Sequence, residues 1–275
     1  MAQNKNKQDR SPKVVQKNKI DFELRIKELN WTENQRAFLD LALDPHTQIM
    51  IVKGCAGTSK TSISIFTMLQ LLNQKKVSDL ILVRGNVESA DSKMGYLPGN
   101  SSEKIQPFMM PFLDKLDMFL SPAEIKKLES ENRLVCQPLG FLRGLDYQVK
   151  ALCLDEAQNS SVKEILTFLS RIGRYCKTFV CGDPEQADIK NSGFDIVYNL
   201  FNNQESRDQG IYCWEFTEED VMRSDLCKFI TKKFRELNNQ NNHNQNVSHS
   251  KHNYPPGRGY PTSLGEIEEY SPSKK

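Results

Sequence analysis

Residues 51–61 read Ile-Val-Lys-Gly-Cys-Ala-Gly-Thr-Ser-Lys-Thr, an apolar run that passes abruptly into glycines, a lysine and a threonine. The spacing is that of G-x-x-x-x-G-K-S/T, in which backbone N–H groups close around phosphate oxygens. The lysine ammonium reaches the terminal phosphates and the threonine hydroxyl coordinates magnesium. Gly54, Cys55, Ala56, Gly57, Thr58, Ser59, Lys60 and Thr61 are the candidate cradle, with Ser59 standing where the pattern has its second glycine. A serine there costs about 1 kcal/mol of local strain if the loop keeps its function. The competing reading is a degenerate loop that no longer holds nucleotide. Such a loop needs a strand before it and a helix after it. Gln48–Val52 is apolar-rich, and Ile63, Phe66, Leu69 and Gln70 recur at helical spacing.

The surrounding chain can supply that context. The 275 residues suffice for one large domain, and the 38% hydrophobic content is concentrated away from the ends. Residues 1–19 hold six Lys/Arg against the single acid Asp9 and read as a flexible basic arm, solvated or resting on phosphates. Residues 238–275 open with an Asn/Gln/His tract, pass through Pro255-Pro256-Gly257 and read as a disordered polar tail. The expected folded domain is therefore 20–237. A net charge of +2 gives no global argument for nucleic-acid binding. With no run of 18 apolar residues and a polar start, neither a membrane span nor a signal peptide is expected. Seven cysteines without a C-x-x-C pair favour a reduced, metal-free, cytoplasmic chain.

Strand-like runs at Gln48–Lys53, Asp79–Val83, Val149–Leu154, Thr178–Gly182 and Gly210–Phe216 alternate with helical stretches. Helices are expected at Thr32–Leu43, Ser62–Asn73, Pro122–Ser130, Val162–Ile172 and Glu218–Leu237. Ser121-Pro122-Ala123-Glu124 is a strong helix start, with serine at the cap, proline first and glutamate three on. The alternation predicts an α/β fold, a mostly parallel sheet flanked by helices on both faces. Ligands on such sheets lie at the carboxyl ends of the strands.

Two further motifs occupy such ends. Val149–Leu154 stops in Asp155-Glu156-Ala157-Gln158. An acid at the tip of an apolar strand can hold magnesium, and the next acid can orient the attacking water. Thr178–Cys181 leads likewise into Gly182-Asp183-Pro184-Glu185-Gln186. A neutral amide such as Gln186 can sense a terminal phosphate without competing for the metal.

Taken in this order, the three motifs resemble the PhoH-like family of ATPases, relatives of the nucleotide-binding core of superfamily 1 helicases. Arg84-Gly85-Asn86-Val87-Glu88, Lys93 to Gly99, Glu103 to Phe108, Arg143-Gly144, Arg171-Ile172-Gly173 and Asp220-Val221-Met222-Arg223 are similar to that family too. Departures are Ser59, Gly85 for proline, Ser89-Ala90-Asp91 for A-G-E and Met222-Arg223-Ser224 for V-R-H. The resemblance implies a RecA-like P-loop NTPase fold with ATP and Mg²⁺ as ligands. It implies that Lys60 and the loop hold phosphates, that Thr61 and Asp155 hold the metal and that Glu156 positions water. Gln186 would sense the γ-phosphate, Gln35 would read adenine, and Arg223 would be an arginine finger from a neighbouring subunit. It further implies a homo-oligomer, a hexamer by family pattern, and single-stranded RNA or DNA as partner, with Arg84 near its backbone. Thr32-x-x-Gln35 is also a helix capping box, and Arg223 could instead pair with Asp220 or Asp225.

Two functions compete. One is an ATPase that couples hydrolysis to RNA or DNA remodelling. The other is a nucleotide-binding switch or scaffold with little turnover, to which Ser59 lends weight.

Overall fold

The computed structural model describes residues 22–85 and 110–222, together with 226, 229, 230 and 233. The basic arm, the polar tail, the family-like stretches within 86–108 and Arg223 lie outside the described residues. Contacts divide the chain into units 1–228 and 229–275, and the fold below is that of the first.

Six strands, β1 (Ile49–Gly54), β2 (Asp79–Arg84), β3 (Leu134–Pro138), β4 (Lys150–Asp155), β5 (Lys177–Gly182) and β6 (Ile211–Phe216), form one sheet. Its order is β3-β2-β4-β5-β1-β6, and every neighbouring pair is parallel. The helices are α1 (Glu33–Leu43), α2 (Lys60–Asn73), α3 (Pro122–Ser130), α4 (Val162–Leu169), α5 (Phe194–Phe201) and α6 (Gln204–Asp208). Residues 110–116 are helical as well.

Strand alternation sends consecutive side chains to opposite faces, and each face has its own core. Met50, Val52, Leu80, Leu82, Ala151, Cys153, Phe179 and Cys181 pack with Phe38 of α1, Ile63 and Leu69 of α2, Phe112 and Leu128. Ile51, Ile81, Val83, Leu152, Leu154 and Val180 pack instead with Ile165 and Phe168 of α4 and Phe194 and Val197 of α5. The central strands are thus buried on both sides, which explains their nearly unbroken apolar sequences. Helices on both faces and an all-parallel sheet make this the expected α/β, RecA-like P-loop NTPase architecture.

Local chemistry sets the helix starts. The Thr32 hydroxyl accepts from Gln35 N at 3.2 Å while Gln35 Oε1 accepts from Thr32 N at 3.0 Å, closing a capping box on α1. Ser121 N donates to Glu124 Oε2 at 2.9 Å ahead of α3, and Ser161 N donates to Glu164 Oε2 at 2.8 Å ahead of α4.

Several boundaries differ from the sequence reading. The β4 strand starts at Lys150 because Val149 has φ 58°, a left-handed turn residue. The edge strand β3 escaped notice: it is five residues long, alternately buried, and ends in Pro138. So did α5, whose β-branched and aromatic residues carry weak helix propensity. Over the expected helix Glu218–Leu237, Glu218–Asp220 forms a single 3₁₀ turn and Val221 is extended at φ −70°, ψ 111°. Beyond Met222 only residues 226, 229, 230 and 233 are described, all helical.

Candidate functional site

The strands β4, β5 and β1 are neighbours, so the three sequence motifs leave the sheet side by side at its carboxyl edge. Between them lies a cavity of about 540 Å³, large enough for a small-molecule ligand.

The glycine-rich loop joins β1 to α2. Gly57 has φ 86°, and Ser59 sits at φ 64°, ψ 21°, a left-handed conformation that glycine adopts freely and serine does not. Thr58 is fully buried and its hydroxyl donates to the Cys55 carbonyl at 2.8 Å, drawing the loop into a ring. A Cβ on Gly54 would stand 3.0 Å from Phe216 Cβ, the Phe216 carbonyl and Thr58 Oγ1, so β6 supports the loop from beneath. Ser59 caps α2 without a side-chain hydrogen bond. The N–H groups of Lys60, Thr61 and Ser62 therefore have no carbonyl within the helix and suit an anion. Lys60 Nζ donates to the Gly54 carbonyl at 2.6 Å and the Cys55 carbonyl at 2.9 Å, which holds its ammonium across the loop.

Thr61, at the start of α2, donates its hydroxyl proton to Asp155 Oδ1 at the end of β4. Asp155 is 3% exposed, and its other oxygen, Oδ2, accepts no hydrogen bond. Among the described residues, the cation nearest to that oxygen is Lys115 Nζ, at 3.6 Å. A buried carboxylate oxygen left open beside a hydroxyl is a fitting donor pair for a hard divalent cation. Among the described residues no group of three His, Cys, Asp or Glu gathers in metal-binding geometry. Mg²⁺ is one such hard cation: it takes one or two protein oxygens and completes its shell with phosphate and water.

Glu156 follows in a left-handed turn at φ 53°. Its Oε1 lies 3.7 Å from Arg84 Nη2 and its Oε2 accepts from Gln158 Nε2 at 2.6 Å. Gln158 Oε1 accepts in turn from Asp183 N at 3.0 Å, and Asp183 Oδ2 accepts from Gln186 Nε2 at 2.6 Å. One polar chain thus ties the tip of β4 to the tip of β5. Where the family pattern has proline, Gly85 N donates to the Asp155 carbonyl at 3.1 Å, a bond proline cannot make. Beneath the site, the Cys153 thiol is held well above its usual pKa, first by hydrogen bonding with Cys181 and then by burial. It stays neutral and adds no charge to the cavity floor.

Of the expected site residues, Ala56, Gly57, Ser59, Lys60, Thr61, Asp155, Glu156 and Gln186 line the cavity. Gly54, Cys55 and Thr58 form the buried inner wall of the loop. Gln35 does not line it. Its side chain is fully buried, with Nε2 donating to the carbonyls of Thr58 at 3.2 Å and Asp220 at 3.1 Å. The expected adenine reader is thus, in this structure, a clamp on the loop. Asp220, offered as a surface partner for Arg223, is 1% exposed and accepts from Thr32 Oγ1 at 2.6 Å and Asn34 Nδ2 at 2.7 Å. Sequence reasoning missed Lys115, Met118 and Leu29, which line the cavity without belonging to any motif.

The sequence model of the PhoH-like protein family matches residues 28–235. A PhoH-like protein of Mycobacterium tuberculosis (strain ATCC 25618 / H37Rv) is 34% identical over 202 residues, covering 72% of this chain and 55% of its own length. Protein PhoH of Escherichia coli (strain K12) is 32% identical over 192 residues, 66% of this chain and 51% of its own length. A PhoH-like protein of Bacillus subtilis (strain 168) is 28% identical over 227 residues, 82% and 68% of the two chains. The chain therefore spans 51% to 68% of the length of these curated relatives. The matched stretch contains the loop, both strand-end motifs and the turn after β6, and the chain belongs to the PhoH-like protein family.

Proposed function

We propose that this chain is a Mg²⁺-dependent ATPase. The observation that carries the reading is the junction of Thr61 and Asp155, where an open, buried carboxylate oxygen faces a cavity that also holds Lys60 and a free helix N-terminus. Lys60 exchanges its loop carbonyls for the terminal phosphates, and the N–H groups of α2 hold the phosphate oxygens. Thr61 and Asp155 would hold Mg²⁺, which when bound would offset charge building on the phosphate oxygens. Glu156 orients a water molecule toward the γ-phosphorus and takes its proton as the bond to ADP breaks. Gln186 hydrogen-bonds the γ-phosphate.

Arg223 follows in sequence on Met222, which lines the cavity and whose N–H donates to the Gly57 carbonyl at 3.1 Å. We place it as an arginine finger acting on a neighbouring subunit of a homo-oligomer, a hexamer by family pattern. Single-stranded RNA or DNA is the proposed partner, approached through Arg84, whose guanidinium faces Glu156. No helix among the described residues is long and apolar enough to cross a membrane. We assign the chain to the cytoplasm on the spacing of its cysteines, which is that of a reduced chain and not of a disulfide framework.

The test is ATP hydrolysis with and without single-stranded RNA for the wild-type chain and Lys60→Ala. Wild-type turnover that falls by about 10²-fold or more in the variant, with the fold intact, is the expected result. Equal turnover in the two would overturn the reading. Tight ATP binding with negligible turnover in the wild-type chain would favour the switch or scaffold.

A further inference from the structure

We propose that Lys115 is the resident counter-ion of the metal site: it balances Asp155 until a divalent cation displaces it. This rests on the reading of Thr61 and Asp155 as the Mg²⁺ pair.

Lys115 belongs to the helical segment 110–116, on a different element from the loop and from β4. Its neighbours Phe112 and Leu116 are fully buried in the core, which fixes the segment and aims Lys115 into the cavity. The ammonium lies 3.6 Å from Asp155 Oδ2, 3.3 Å from the Pro111 carbonyl and 6.0 Å from the Phe112 ring centroid. The first of these is a charge contact longer than a hydrogen bond. Asp155 needs it. A carboxylate this buried with no opposing charge is strongly disfavoured, and Lys60, the other lysine among the described residues of the cavity, donates to the loop carbonyls instead.

A divalent cation on Oδ2 and an ammonium in van der Waals reach of it repel each other. Metal binding therefore requires Lys115 to leave, and its side chain, 27% exposed, has solvent and the open cavity to move into. Two consequences follow. Without a divalent cation, the Asp155 carboxylate keeps its charge balanced by the Lys115 ammonium. The site's affinity for a bare divalent cation is lowered, which favours loading together with phosphates that can accept the displaced ammonium.

The test is titration with Mn²⁺ alone, followed by water-proton relaxation, on the wild-type chain, Lys115→Met, Lys115→Arg and Asp155→Asn, each checked by thermal unfolding. Lys115→Met should bind Mn²⁺ about tenfold tighter, within the usual range of coupling between sites. Lys115→Arg should match the wild-type chain, and Asp155→Asn should lose most of the affinity. If Lys115→Met does not fold, Lys115→Gln makes the same comparison with an uncharged polar side chain. Unchanged or weaker Mn²⁺ binding in the neutral variant, with Asp155→Asn still defective, would overturn the role of Lys115 and leave the metal pair standing. Unchanged binding in Asp155→Asn would overturn the metal pair itself.

Discussion

The side-chain amide of Gln35 donates to the Thr58 carbonyl of the glycine-rich loop at 3.2 Å and, from the same nitrogen, to the Asp220 carbonyl at 3.1 Å. With its oxygen accepting from Thr32 N, one buried glutamine fastens the start of α1, the loop and the turn after β6. Gln35→Ala would leave buried carbonyls without donors, at about 1–3 kcal/mol of stability. A clamp holds the loop whatever base is bound. ATP and GTP should therefore lose affinity together, as competition binding against a phosphate-labelled probe can measure. A loss confined to ATP would return Gln35 to base reading.

Ser59 occupies a left-handed conformation at φ 64°, ψ 21°. That conformation costs an L-residue about 1–2 kcal/mol, part of which glycine gives back through its freer unfolded chain. Ser59→Gly should thus raise stability by about 0.5–1 kcal/mol and keep or tighten ATP binding. Ser59→Val, β-branched at positive φ, should destabilise the loop and weaken binding. Thermal unfolding and equilibrium ATP binding check both variants. A clear loss of ATP binding in Ser59→Gly would mean that the loop has adapted around the serine.

The three strand-end motifs were legible because each joins a local apolar run to residues with one chemical use, and parallel topology then gathers them at one edge. Partnerships across long chain separations were not legible. Thr32-x-x-Gln35 could be read as a cap, since both residues share one helical turn. That the same amide holds Thr58 and Asp220, 23 and 185 residues away, has no local signal. Lys115 escaped for the same reason: nothing within its own helical turn points to Asp155, forty residues on. The α5 helix hid behind its composition, because Ile196, Val197 and the aromatics around them fit a strand as well as a helix.

Gln158 bridges Glu156 Oε2 at 2.6 Å and Asp183 N at 3.0 Å and is 1% exposed. It is a positioning residue, fixing the carboxylate proposed to orient water. Gln158→Ala should lower kcat for ATP by about 10–100-fold, since small misplacements of a reacting group cost that much. KM should change little, because no phosphate contact is lost. The variant should also lose about 1 kcal/mol of stability through the orphaned Asp183 N–H. Steady-state kinetics separate the two parameters, and an unchanged kcat would show that Glu156 keeps its orientation without this bridge.

Lys177 opens β5 at the amino edge of the sheet, the edge opposite the cavity, and donates to the carbonyls of Asp44 and Thr47. Burial lowers its pKa to about 8 from 10.5, with nearby Asp44 opposing the shift and Lys76 adding to it. Below pH 8 the lysine is charged in both folded and unfolded chains, and the folded state bears the full desolvation penalty. Between about pH 8 and 10.5 the unfolded chain binds the extra proton, so stability rises with pH, and above that window the penalty is gone. Relative to Lys177→Met, the wild-type chain should gain on the order of 2 kcal/mol across this interval, less than the full shift implies because solvent screens an ammonium that is only partly buried. Denaturant unfolding of both proteins at several pH values from 7 to 10.5 measures the difference directly. Parallel pH profiles for the two would show that Lys177 titrates at its ordinary value. Because the site lies at the other edge, the ratio of ATP binding between the two proteins should stay constant while their stabilities converge or diverge with pH.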